Sequence, residues 1–189
     1  MLSAAEIARG VQGALAFLRR DPTAPAYFDN TLEACLRSFR VMAVSAPFYV
    51  VYVAINYAGL TVESEAWDVV LIEALRYVVE WLLFPVIFYE IARRRGWLDR
   101  YPRYIGALNL INLPATAIAL AAVDAVMPPA VRVLVDLGFL TLTGYWMIVA
   151  ARLSLAASWG LSVALLVVAW VPSYLLSFIV NRYLGIAGG

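Results

Sequence analysis

The sequence predicts an all-α polytopic membrane protein with five transmembrane helices and an amphipathic N-terminal helix at the membrane interface. Three observations predict it. Of 189 residues, 64% are hydrophobic and 14% charged, whereas a soluble domain carries about 25% charged residues. Mean hydropathy is +0.82, and apolar runs near the ~20 residues needed to cross a bilayer recur along the chain. Arginine clusters at alternate ends of those runs. Two regions follow: residues 1–40, a cytoplasmic or interfacial helical segment, and 41–189, a five-helix bundle.

The elements are taken in order. Ser3-Ala-Ala-Glu6 reads as a capping box. Ile7, Val11, Leu15 and Leu18 then recur at helical spacing, with Arg9, Arg19 and Arg20 off that stripe or at its end. Residues 4–20 therefore read as a helix lying on the membrane surface, or packed on the bundle. The segment "RRDPTAPAYFDN" breaks it, because a residue before proline is pushed out of the α region. Asn30-Thr-Leu-Glu33 reads as a second capping box, opening a helix that carries Arg37 and Arg40 into the first span. The spans are 41–60, 69–92, 105–127, 131–151 and 161–180.

Arginine placement orients them. Residues 1–40 hold Arg9, Arg19, Arg20, Arg37 and Arg40, and the loop "RRRGWLDRYPRY" holds Arg93, Arg94, Arg95, Arg100 and Arg103. Arg152 marks the next turn on that side, and the opposite side carries the acidic loop "TVESEAWD". The expectation is a bacterial inner-membrane protein with its N-terminus in the cytoplasm and its C-terminus in the periplasm. Trp67, Trp97, Tyr101, Tyr104 and Tyr183 are expected at the interfaces. The arginine-rich loop is a topology signal that can also hold anionic lipid headgroups. Glu90, three and four residues before Arg93 and Arg94, is expected to pair with them.

The second span poses the main problem. Glu80 lies roughly 16 Å along the helix from Val69 at 1.5 Å per residue, near the bilayer midplane. Glu73, Arg76 and Glu80 follow an i, i+3, i+7 spacing and share one face. A charge at that depth costs at least ~2.5–3.5 kcal/mol on insertion scales, so the face must look into protein or a wet cavity. Arg132 and Asp136, spaced i, i+4, fall in the same outer half of the fourth span, and Asp124 ends the third. The reading is a polar pocket in the outer half of the bundle. It is a structural ion-pair network, a solute or proton site, or a partner-docking cluster.

Secondary polar positions are Ser45, Tyr49, Tyr52 and Asn56 in the first span, Asn109 and Asn112 in the third, and Ser173, Ser177 and Asn181 in the fifth. These suit interhelical hydrogen bonds. There is no His and no Lys, and Cys35 is the single cysteine. Histidine-based acid–base or metal chemistry, Schiff-base chemistry and an internal disulfide are therefore excluded. No metal or cofactor is expected, and a net charge of +1 gives no pull on nucleic acid.

The segments "YFDNTLEACLRSFR", "APFYVVYV" and "EWLLFPVIFYEIARRRG", with "NLINLP", resemble a set of small bacterial inner-membrane proteins without an assigned activity. Five spans behind a cytoplasmic N-terminal region also resemble the Yip1-type family, whose eukaryotic members bind small GTPases and partner membrane proteins. That resemblance implies an interaction or membrane-organising role and carries no functional residue over. The leading expectation is a non-enzymatic membrane protein, a membrane organiser or accessory subunit, acting through contacts with membrane lipids, another membrane protein or itself. The alternative is a small transporter or channel built around Glu73, Arg76 and Glu80.

Overall fold

The computed structural model describes residues 3–57, 60, 62–122 and 128–186, and their regular structure is helical. The helices are α1 (Ala4–Leu18), α2 (Leu32–Ser38), α3 (Arg40–Tyr57), α4 (Ala66–Arg95), α5 (Tyr101–Ala122), α6 (Pro129–Leu155) and α7 (Trp159–Tyr183), with a short 3₁₀ turn at Ala24–Tyr27 between α1 and α2. Three stretches are long and apolar enough to cross a membrane: Leu32–Ile55, Ala130–Leu155 and Trp159–Tyr183. α4 has the length of a span but carries charges through its middle and at both ends.

The first capping box forms. Ser3 Oγ accepts from the Glu6 amide, and Glu6 Oε2 accepts from the Ser3 amide at 2.8 Å. That backbone bond, with the Ser3 hydroxyl next, holds the Glu6 carboxyl below its ordinary value. The second start differs from expectation. Thr31, not Asn30, caps α2 by accepting from the Ala34 amide. Asn30 instead donates to the Asp99 carbonyl at 2.6 Å and accepts from the Arg103 amide. Its side chain thus ties the N-terminal segment to the start of α5. Glu33 pairs with Arg37 one turn on. α2 and α3 are separate helices, with the break at Phe39.

α1 packs on the bundle mainly through the face beside the Ile7, Val11, Leu15 and Leu18 stripe, of which Leu18 also packs against the core. Its buried residues are Gly10, Gly13, Ala14, Ala16 and Phe17, while Leu15 is 43% exposed. Small side chains decide this, because they let backbones approach closely. A Cβ on Gly13 would lie 2.5 Å from the Phe28 ring, and one on Gly10 would lie 3.0 Å from Leu110 of α5. Trp146 of α6 donates its indole N–H to the Ala14 carbonyl at 2.6 Å. Arg20 then donates to the Tyr145 hydroxyl, and its guanidinium lies 5.4 Å from the Tyr145 ring and 5.4 Å from the Trp159 ring.

The core sits at the arginine-rich end. Phe17, Phe28, Cys35, Phe88, Tyr104, Ile105, Trp146 and Leu155 are buried in one cluster. Tyr104, expected at the interface, is 1% exposed and meets Phe88 edge to face. Trp67 and Tyr183 are 71% and 70% exposed at helix ends. Gly96, in the left-handed region at φ 70°, ends α4, a conformation glycine adopts without steric cost. The end of α6 is held differently. Ala156 takes φ 54°, Arg100 donates to the Leu155 carbonyl and Arg152 to the Ala157 carbonyl. These bonds place the α4–α5 and α6–α7 turns at the same end of the molecule.

Candidate functional site

The face of α4 predicted to shelter its charges does so, and two tyrosines complete it. Glu73 is 4% exposed. Its Oε2 accepts from the Tyr49 hydroxyl at 2.6 Å, and its Oε1 accepts from the Tyr57 hydroxyl and from Arg76 Nη1 at 3.3 Å. Both oxygens are therefore occupied, as a buried carboxylate requires. Arg76 also donates from Nε to Glu80 Oε1 at 3.0 Å and from Nη2 to Ser177 Oγ at 2.8 Å. One guanidinium thus joins two carboxylates of α4 to α7, while Tyr49 and Tyr57 join α3 to the same point. The spacing of Glu73, Arg76 and Glu80 made this legible in the sequence. The tyrosine partners were not, because spacing along α3 says nothing about which carboxylate faces it.

Beside this network lies a cavity of about 620 Å³, lined from α3, α4, α5, α6 and α7. Its charged lining residues are Glu80, Arg132 and Asp136. Glu73 and Arg76 do not line it, so the predicted cluster divides. Glu73 is held in the wall by three donors, and Glu80 stands at the cavity surface with its side chain 27% exposed. Asn109 and Asn112, expected to make interhelical bonds, both line the cavity. Asn109 is buried and donates to Ser38 Oγ at 2.9 Å, and Ser38 in turn donates to the Cys35 carbonyl. Asn112 is exposed. Asp124 lies outside the described residues, as does the side chain of Asn56.

The polar stripe of α3 faces the same space. Ser45, Tyr49 and Tyr52 line it, and Tyr77 of α4 donates to the Met42 carbonyl at 2.6 Å while its ring packs 4.6 Å from that of Tyr49. Ser45 departs from the expected interhelical bonding. Its hydroxyl is buried and has no hydrogen-bond partner among the described residues. From α7, Ser173 lines the cavity, and so does Trp170, which closes over Gly144 of α6; a Cβ there would lie 2.8 Å from the Trp170 ring. Eight aromatic residues stand among the lining, a feature not read from the sequence because it needs the mutual rotation of several helices.

The basic residues expected at lipid headgroups also divide. Arg93 and Arg94 pair with Glu90 as the spacing predicts, at 2.9 and 2.6 Å. Arg100 holds the Leu155 carbonyl and Arg103 the Phe28 carbonyl. Arg95 is exposed beside them. Among the described residues, no group of three or more acidic or cysteine side chains is placed to hold a metal ion. No family model matches the chain, and no curated protein or solved structure matches it.

Proposed function

We propose that this chain is a five-span bacterial inner-membrane protein that takes a small solute into the cavity at Glu80, Arg132 and Asp136 and moves it across the bilayer. The observation that carries the reading is the cavity itself. Its volume of about 620 Å³ lies within the range of small-molecule sites. Two carboxylates and a guanidinium reach it from α4 and α6. Charges within membrane helices are expensive, and their usual setting is a solute or ion pathway. The division of the cluster supports the same reading. A purely structural network would have Glu80 as fully enclosed as Glu73.

On this reading α3 to α7 are the five spans, with the N-terminus in the cytoplasm. The closed end, plugged by α1 and the aromatic core, faces the cytoplasm, and the cavity lies toward the periplasm. No reaction is assigned to the site. Histidine and lysine are absent from the chain, and what remains suits binding and translocation better than bond cleavage.

Reconstituted into liposomes with a trapped pH-sensitive dye, the protein is expected to exchange charged solutes from a small panel for protons and so to collapse an imposed pH gradient. Glu80→Gln is expected to slow that collapse at least tenfold. Equal rates for the parent, Glu80→Gln and protein-free vesicles would remove the transport reading. The second reading, membrane organisation through lipid or partner contacts, draws support from exposed Arg93 and Arg94, 60% and 76% exposed beside Arg95. A single-chain mass in mild detergent, with no anionic lipid retained, would count against it.

A further inference from the structure

We propose that the ligand of this cavity is a lipophilic organic monocation; the proposal rests on the cavity being a solute site and adds the chemical class of the solute. Three features of the lining point there. The first is charge. Among the described residues, two carboxylates, Glu80 and Asp136, face the cavity against one guanidinium, Arg132, a net charge of −1. The network behind the wall does not reverse this, because Arg76 is matched there by Glu73.

The second feature is the walls. Tyr49, Tyr52, Tyr77, Trp81, Phe84 and Trp170 contribute rings from three helices. Aromatic faces carry negative quadrupole charge and attract a cation within about 6 Å, most strongly where water is thin. They also supply the apolar area that a greasy cation buries. A hydrophilic anion would meet the same rings and the carboxylates unfavourably.

The third feature is the Ser45 hydroxyl, which lies in the lining, 4% exposed and without a partner among the described residues. A buried hydroxyl left unpaired is costly, because it has given up water without gaining a partner. A polar atom on a bound molecule, or water carried in with it, would satisfy that hydroxyl. Tyr49 connects this site to the network, since its ring lines the cavity while its hydroxyl is committed to Glu73. Occupancy is thereby placed next to the pairs that hold α3, α4 and α7 together.

The test uses the full chain purified in mild detergent and three aryl probes that differ in charge. These are tetraphenylphosphonium, tetraphenylborate and the uncharged triphenylphosphine oxide, with saturable binding measured by equilibrium dialysis. Tetraphenylphosphonium is expected to bind saturably and at least tenfold more tightly than tetraphenylborate. Glu80→Gln and Asp136→Asn are each expected to weaken it about tenfold, and Arg132→Gln to leave it equal or tighter. Asp136 is exposed and Glu80 pairs with Arg76, so loss of folding in one variant leaves the other as the test. Preference for the anion or the neutral probe would overturn the monocation while leaving the cavity as a solute site. Undiminished cation binding in both carboxylate variants would overturn it too. No saturable binding of any probe would overturn the monocation, and the liposome flux decides the solute site separately.

Discussion

Glu73 shows how a long, largely apolar helix keeps a carboxylate enclosed and fully partnered. Tyr49, Tyr57 and Arg76 all donate to it, and it is almost fully enclosed. Removing the carboxylate leaves two tyrosine hydroxyls without their acceptor and leaves Arg76 shared between Glu80 and Ser177. Breaking such a buried pair costs about 3–5 kcal/mol. Glu73→Ala is therefore expected to lower the thermal midpoint in detergent by many degrees, and Tyr57→Phe by much less. A Glu73→Ala midpoint equal to the parent's would sink this account of α3–α4 docking. The Glu73, Arg76 and Glu80 alignment was readable from the sequence, because helical spacing fixes neighbours on one helix. The partners Tyr49, Tyr57 and Ser177 come from other helices, and no local rule supplies them.

Among the elements, α1 departs most from its sequence pattern. The Ile7, Val11, Leu15 and Leu18 stripe is the face a hydrophobic periodicity search finds. The face that docks is Gly10, Gly13, Ala14 and Phe17. Close approach decided it: glycine exposes backbone to a neighbour, so the low hydropathy of that face is no measure of its contact. Gly13→Ala is expected to destabilise the chain by about 1–3 kcal/mol through collision with Phe28. It should also raise proteolysis at the residue 19–31 linker. Unchanged proteolysis would mean that α1 does not depend on this contact. The Thr31 cap is a smaller instance. Asn30 and Thr31 are both competent caps, and Asn30 was taken by the distant start of α5 at Asp99 and Arg103.

At the scale of the whole molecule, packing is uneven: a dense aromatic and alanine core at the arginine-rich end, and a cavity toward the other. The proposal that the dense end faces the cytoplasm predicts a labelling pattern. Cys35 is buried, so introduced cysteines report alone. In intact cells, Glu65→Cys should react with a membrane-impermeant maleimide and Leu98→Cys should not. The reverse pattern would invert the topology. The sequence by itself determined the helical class, the membrane-compatible apolar lengths and the paired face of α4. Those follow from composition and from the 3.6-residue period, which act within one segment. Only the tertiary structure decided that Glu73 belongs to the wall and Glu80 to the cavity, that α1 docks through its glycines, and that aromatic rings surround the site. Each of these depends on how far one helix is rotated against another. That rotation is set by packing among residues distant in the chain, which no single segment encodes.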